Sequence, residues 1–294
     1  MVDVAAAEQR IATFLAEAPY GRGLMVMAAE GARRGWHEAN GGNVSYRLRA
    51  AERSEVEAVR AELDLACGPW EDLAVAVPEL GSEAFLVSAA GSFMGRLDQA
   101  PARRLGIVEL DESGSRSRIS IGFCGCARPT SELAGHLLIH GAQKARDREG
   151  RVLYHAHPNE LIVLSKVVEL TPYALTRALW KATTECILAV PEGVGVVPCL
   201  VPGSLELARA SAEQMERFRA VLWAQHGLLC AGSTWEDAFG RMDSLVKAAA
   251  VHLATRALMG EAEAPNVITD RFLHAMNEQL HLGADDALLR SEDK

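Results

Sequence analysis

Arg151-Val-Leu-Tyr-His-Ala-His-Pro158 carries two histidines two residues apart in an apolar run that ends at proline. Side chains two apart on a strand point to one face. A strand over Val152–His157 therefore projects His155 and His157 side by side. Two neutral imidazoles make half of a transition-metal site, and a third completes a catalytic set with one position open. His226, in Ala224-Gln-His-Gly227, is the candidate third ligand, on another predicted strand beside a glycine that permits close approach. Taken singly, each histidine has packing as its competing reading. His37, His136, His140, His252, His274 and His281 fall mostly on predicted helices, where packing or surface roles are expected.

Outward from this strand, the chain alternates between helical and extended patterns. Apolar spacing predicts helices over 5–17 and 22–34, the second ending at Gly35. Asn40-Gly-Gly-Asn43 reads as a tight turn before an alternating strand at Val44–Leu48. Residues 50–82 are acidic and alanine-rich, and are expected to form a surface excursion, partly helical between Ser54 and Leu65. Strands follow at Ala84–Ser88, Leu105–Leu110 and Arg118–Gly122, the last two as a hairpin. Pro129 opens a helix to about Ala145, and further helices are predicted at about 159–166 and 172–180. Ile187–Ala189 and Val194–Val197 read as short strands. A helix starts at Gly203-Ser204 and extends to about Arg219. A strand over Val221–His226 continues past Gly227 through Leu228–Cys230. Ser233-Thr-Trp-Glu236 matches a capping box for a helix to about Leu258. Residues 265–294 read as a C-terminal helical tail whose last helix Thr269 can cap. This interleaving predicts a layered α/β domain.

The bulk composition narrows the function classes. The chain has 294 residues, 49% hydrophobic and 23% charged, a globular balance long enough for a sizeable core. Net charge is −9, from 30 basic and 39 acidic residues, which argues against broad nucleic-acid or anionic-membrane binding. An anionic substrate then needs a local site. The first residues lack a basic head and continuous apolar stretch, and no window is long enough to span a bilayer. The six cysteines are scattered, and the expected compartment is a reducing cytoplasm.

Three further motifs carry both a structural and a functional reading. Pro129-Thr-Ser-Glu132 has residue types favoured at a helix start. Its hydroxyls and N–H groups can also bind an anion, with Glu132 poised for proton transfer. Asn40-Gly-Gly-Asn43 and Ala89-Ala-Gly-Ser92 are small-residue loops that can approach a ligand closely. Glu185, before a predicted strand, reads by itself as a surface carboxylate.

Together the motifs resemble the class II, metal-dependent sugar-phosphate aldolases of the aldolase/epimerase/adducin-head superfamily. The matching residues run in order through Gly35-Trp36, Asn40-Gly-Gly-Asn43, Leu105-Gly-Ile-Val108, Pro129-Thr-Ser-Glu-Leu133 and His155-Ala-His157. They continue through Thr176-Arg-Ala-Leu-Trp180, Thr184-Glu-Cys186, Pro191-Glu-Gly-Val-Gly195, Val201-Pro-Gly203 and His226-Gly227. The resemblance spans about residues 20 to 260. Within the superfamily it is strongest to the branch that cleaves L-rhamnulose 1-phosphate to dihydroxyacetone phosphate and L-lactaldehyde. The alternatives are an aldolase for another ketose or a pentulose-phosphate 4-epimerase. A non-enzymatic adducin-like head is disfavoured because all three histidines and Glu132 are present.

The resemblance implies one three-layer α/β/α domain over 1–294 with a mostly antiparallel, mixed sheet. It implies Zn²⁺ held by His155, His157 and His226. Glu132 becomes the catalytic carboxylate, and Glu185 a second one that reaches into a neighbouring subunit's site. Asn40, Gly42, Asn43, Gly91, Thr130 and Ser131 fall where the family binds the substrate and its phosphate. The implied partner is a small sugar phosphate, and the implied assembly is a homotetramer with active sites at subunit interfaces. Two positions depart from the family pattern. Its Gly-Ser-Gly loop followed by lysine is Ala89-Ala-Gly-Ser92 here, leaving Ser88 or Ser92 to supply the missing hydroxyl. Ala39 stands where relatives carry a basic residue.

Overall fold

The computed structural model describes residues 4–146, 149–260, 262 and 264–290. The last four residues of the predicted tail, 291–294, and the first three of the chain lie outside it. Helices are α1 (Val4–Glu17), α2 (Pro19–Arg33), α3 (Ala50–Glu62), α4 (Pro101–Arg104), α5 (Leu133–Ala145), α6 (Asn159–Val167), α7 (Pro172–Trp180), α8 (Thr184–Ala189), α9 (Leu205–Met215), α10 (Trp235–Met259), α11 (Asp270–Leu280) and α12 (Asp286–Leu289). Strands are β1 (Asn43–Arg47), β2 (Glu71–Asp72), β3 (Ala84–Ser88), β4 (Leu105–Leu110), β5 (Arg116–Gly122), β6 (Val152–Ala156), β7 (Gly195–Val197), β8 (Ala220–Trp223) and β9 (Gly227–Gly232).

One nine-stranded sheet runs β2-β5-β4-β3-β1-β6-β9-β8-β7. The β7–β8 pair is parallel and the other ladders are antiparallel, so the sheet is mixed as expected. The central strands are buried on both faces, which requires a helical layer on each side. The alternation along β1 shows the two layers. Tyr46 packs on Tyr20 of α2 and Trp235 of α10. Its neighbour Ser45 points the other way, to His136 and His140 of α5. On β3, Phe85 and Val87 join a second core with Leu137 of α5, while Leu86 joins the larger core. Among the described residues, no helix is long and apolar enough to cross a membrane.

Local structure departs from the sequence reading in several places. The strand expected at Ile187–Ala189 is the end of helix α8: Cys186, Ile187 and Val190 are buried at helical spacing. Glu185 therefore sits on a helix. The strand expected to run on through Gly227 is instead an antiparallel hairpin, β8 and β9, turning at Ala224–His226 with Gln225 at a φ of 59°. The capping box is shifted by one residue. Thr234 is the N-cap of α10, accepting from Asp237 N at 3.2 Å, and Asp237 accepts from Ser233 N at 2.9 Å. The Pro129 motif precedes helix α5, which starts at Leu133.

The 50–82 excursion is more ordered than its composition predicts, since α3 begins at Ala50 and β2 covers the sheet edge against β5. In the tail, Thr269 caps α11 as expected. Arg177 and Lys181 both pair with Asp270, the lysine at 2.7 Å.

Candidate active site

Sheet register brings the site together. Asn43 at the start of β1 pairs with His155 on β6, which pairs with Leu229 on β9. Residues opposite one another share a face, so Asn43 and His155 both look toward the α5 side. His157 lies just beyond β6, its N–H donated to the Trp36 carbonyl at 2.9 Å. His226 arrives from the β8–β9 turn, where its N–H bonds to the Trp223 carbonyl at 3.0 Å.

The three imidazoles converge, with ring centroids 4.8 to 4.9 Å apart. One nitrogen from each lies within 4.8 Å of the others. Hydrogen bonds settle the tautomers of two rings. His155 Nδ1 lies 3.0 Å from the Leu228 carbonyl, which only accepts, so Nδ1 carries the proton. His157 Nδ1 donates likewise to the Glu38 carboxylate at 2.6 Å. Both Nε2 atoms are thus left with lone pairs, yet they face each other at 3.0 Å. Two lone pairs at that distance repel unless a cation lies between them. His226 Nδ1 is buried with no hydrogen-bond partner among the described residues. Burial, and then repulsion from the neighbouring histidines, holds His155 well below the usual histidine range. Burial, and then repulsion from His157, pushes His226 down to about 4, with Glu38 opposing. Neutral imidazoles, two of them with committed second nitrogens and the third with an orphaned buried one, suit a metal ion, so the donor set fits a metal.

Glu132 lies beside this cluster, at the N-cap position of α5. Asn43 Nδ2 donates to its Oε2 at 2.8 Å. Burial raises the Glu132 carboxyl above the usual range, with the Asn43 bond opposing. Its backbone N–H donates to Thr130 Oγ1 at 3.3 Å. Thr130 is buried and Ser131 exposed, beside Gly203. The loop bearing Gly91 joins the same wall. Ala89 bridges to Pro129, and Ala90 N donates to Arg128 O at 2.9 Å. Gly91 has a φ of 73° and open space where a side chain would sit. Of the two candidate hydroxyls, Ser88 is buried in the sheet and accepts from Val44 N at 3.2 Å.

The Asn40 turn closes the opposite side. Gly41 packs so tightly on His157 that a Cβ there would lie 2.8 Å from His157 Nδ1. Gly42 takes a φ of 79°, and its missing Cβ would meet His37 Nδ1 at 2.4 Å. Asn40 itself is exposed.

The predicted histidines, Glu132, Asn43, Thr130 and both glycine loops thus surround one region, and Glu185 does not join them. It is exposed on α8, and among the described residues no bond links it to the histidines. Several supporting residues escape sequence reading. Glu38 orients His157, Trp223 packs with its ring centroid 4.2 Å from that of His155, tilted by 43°, and His136 bonds Asn43. The four-residue spacing of Glu132 and His136 on one helix face is the signal that was available for the last.

The family model described as class II aldolase and adducin N-terminal domain matches residues 22–253. The chain is 34% identical over 259 residues to the rhamnulose-1-phosphate aldolase of Listeria monocytogenes serovar 1/2a, covering 88% of this chain and 92% of that protein. It is 37% identical over 262 residues to the rhamnulose-1-phosphate aldolase of Pectobacterium atrosepticum, covering 87% and 92%. Among solved structures, a sugar-phosphate aldolase from Thermotoga maritima superposes with a TM-score of 0.69 at 27% identity, covering 87% of this chain and 97% of that one.

Proposed function

The chain belongs to the class II aldolase and adducin N-terminal domain family, and from that premise we propose that it is a zinc-dependent aldehyde-lyase cleaving L-rhamnulose 1-phosphate to dihydroxyacetone phosphate and L-lactaldehyde. The observation that carries this reading is the convergence of three imidazoles beside the Asn43–Glu132 pair. Relatives named rhamnulose-1-phosphate aldolase at 34% and 37% identity support the choice of ketose. Strands from Asn43 to Gly232 share one sheet, which supports treating the chain as one aldolase domain.

His155, His157 and His226 would hold Zn²⁺, and the bound ion would supply Lewis-acid polarisation of substrate oxygens. The chain's own groups do the rest. Asn40, Gly42, Asn43, Gly91, Thr130 and Ser131 bind the phosphate and orient the ketose with hydroxyl, amide and backbone donors. As the C3–C4 bond breaks, a base takes the C4 hydroxyl proton. The electrons of that bond remain on the three-carbon half. Glu132 delivers a proton to its carbon and so completes dihydroxyacetone phosphate. A carboxyl raised by burial suits this role, because it gives and takes a proton closer to neutrality. Trp223 and Leu229, both buried, keep water from the inner wall.

Glu185 is assigned to proton transfer at the aldehyde oxygen in a neighbouring subunit's site, within a cyclic homotetramer. Its exposure on α8 supports this assignment. A retro-aldol assay on a panel of ketose 1-phosphates, with unphosphorylated controls and elemental analysis of the metal, tests the proposal. Dihydroxyacetone phosphate released from L-rhamnulose 1-phosphate is the expected result. A C4 epimer formed without cleavage, or no reaction on that ketose, overturns it.

A further inference from the structure

Asn43 can serve an ionised Glu132 only by turning its NH₂ end toward the carboxylate. An amide has no preference of its own between its two orientations, so something else must fix it. His136 Nε2 lies 2.5 Å from Asn43 Oδ1. That oxygen only accepts, so His136 carries its proton on Nε2. Its Nδ1 is then a bare lone pair, and the Ser45 hydroxyl donates to it at 2.6 Å. Ser45 Oγ in turn accepts from His140 Nε2 at 2.9 Å. Every proton in the row points toward Glu132. Ser45, His136 and His140 are at most 1% exposed, so solvent does not compete for these bonds. Burial pushes His136 down to about 4, keeping the ring neutral with one N–H to place.

We infer that His136 is a positioning residue for the cleavage reaction: its Nε2–H tautomer, with Nδ1 taken up by the Ser45 hydroxyl, holds Asn43 with its amide donor on Glu132. The inference rests on the role proposed for Glu132. Reversing the row would set Asn43 Oδ1 against the carboxylate, two acceptors at the 2.8 Å now occupied by a hydrogen bond. His136 touches no reacting atom. It acts one residue removed, from the helix turn after Glu132.

The tautomer is read by long-range proton–nitrogen NMR on metal-loaded protein labelled with ¹⁵N-histidine, the His136 signals being assigned by their loss in His136→Gln. Expected are a protonated Nε2 and a bare Nδ1; a protonated Nδ1 overturns the inference. Kinetics supply the second arm. His136→Leu removes the donor and should lower kcat about tenfold or more, with KM and metal content unchanged. His136→Gln, whose amide NH₂ stands where Nε2 stood, should return kcat to within about threefold of wild type. His136→Asn, with its NH₂ at the Nδ1 position, should stay with the leucine variant. Wild-type kcat in His136→Leu, or a glutamine variant no better than leucine, overturns the inference. The nitrogen signals need no substrate. Failure of the cleavage assay and failure of this assignment are therefore separate results, and the wild-type spectrum decides even where His136→Leu does not fold.

Discussion

Glu132 is where burial, hydrogen bonding and proposed chemistry meet. Its carboxyl is raised because most of its surroundings are protein, yet Asn43 still offers the charged form a donor. Such a group exchanges protons at higher pH than an ordinary carboxyl while remaining able to ionise. Glu132→Gln keeps the size and can still accept from Asn43 through its amide oxygen, but it cannot carry a proton to carbon. Turnover should fall about a hundredfold or more, the lower end of what a general acid–base group contributes. Metal content and the thermal midpoint should stay near wild type. Steady-state kinetics beside elemental analysis check this, and near-wild-type turnover would remove Glu132 from the reaction.

The element that most constrains the histidine cluster is the β8–β9 hairpin, because its turn delivers His226 against β6. Gly227 makes the approach possible. A Cβ there would lie 2.4 Å from the Ala156 carbonyl and 2.9 Å from His157 Cδ2. Backbone is in the way, so the strand pair itself must shift. Gly227→Ala should cost about 1–3 kcal/mol of stability, as overpacking does. It should also weaken metal binding about tenfold or more by moving one histidine relative to another. Zinc titration calorimetry and thermal unfolding measure the two effects, and wild-type affinity would contradict the geometry. The same hairpin shows what a sequence can and cannot carry. Strand β3 over Ala84–Ser88 and helix α7 over Pro172–Trp180 were legible because periodicity and bounding residues act within a few positions. Helix α8 was not, since six residues with two buried apolar positions fit a strand equally well. The turn before Gly227 was not either, because left-handed Gln225 carries no glycine signal. Within the site, the His155–His157 pair was readable from its spacing of two. Asn43 reaching Glu132 across 89 residues was not. That contact is set by how α5 packs against β1, which no local pattern encodes.

At the scale of the whole molecule, buried neutral histidines tie stability to pH. His37, His136 and His226 are pushed down to about 4, and His140 and His155 well below the usual value of 6.5, burial being the first cause in each. The unfolded chain keeps ordinary histidines, so it takes up protons first on acidification. Stability is therefore fully present above about 6.5 and is lost as pH falls from there toward 4. Each such histidine adds a slope of about 1.4 kcal/mol per pH unit. The urea midpoint of metal-free protein should decline steadily between pH 7 and 5, and a flat profile would mean these rings are protonated in the fold. Assembly is the remaining question at this scale, and Glu185 gives access to it. It faces solvent on α8, apart from its own chain's histidines. If it completes a neighbour's site, two inactive proteins should repair each other. His155→Ala supplies an intact Glu185, and Glu185→Gln supplies intact histidines. In a closed ring of randomly mixed subunits, about a quarter of the sites pair the good halves, so co-refolded protein should recover about a quarter of wild-type turnover. Activity no higher than the mean of the two parents would show that Glu185 does not act across a subunit boundary.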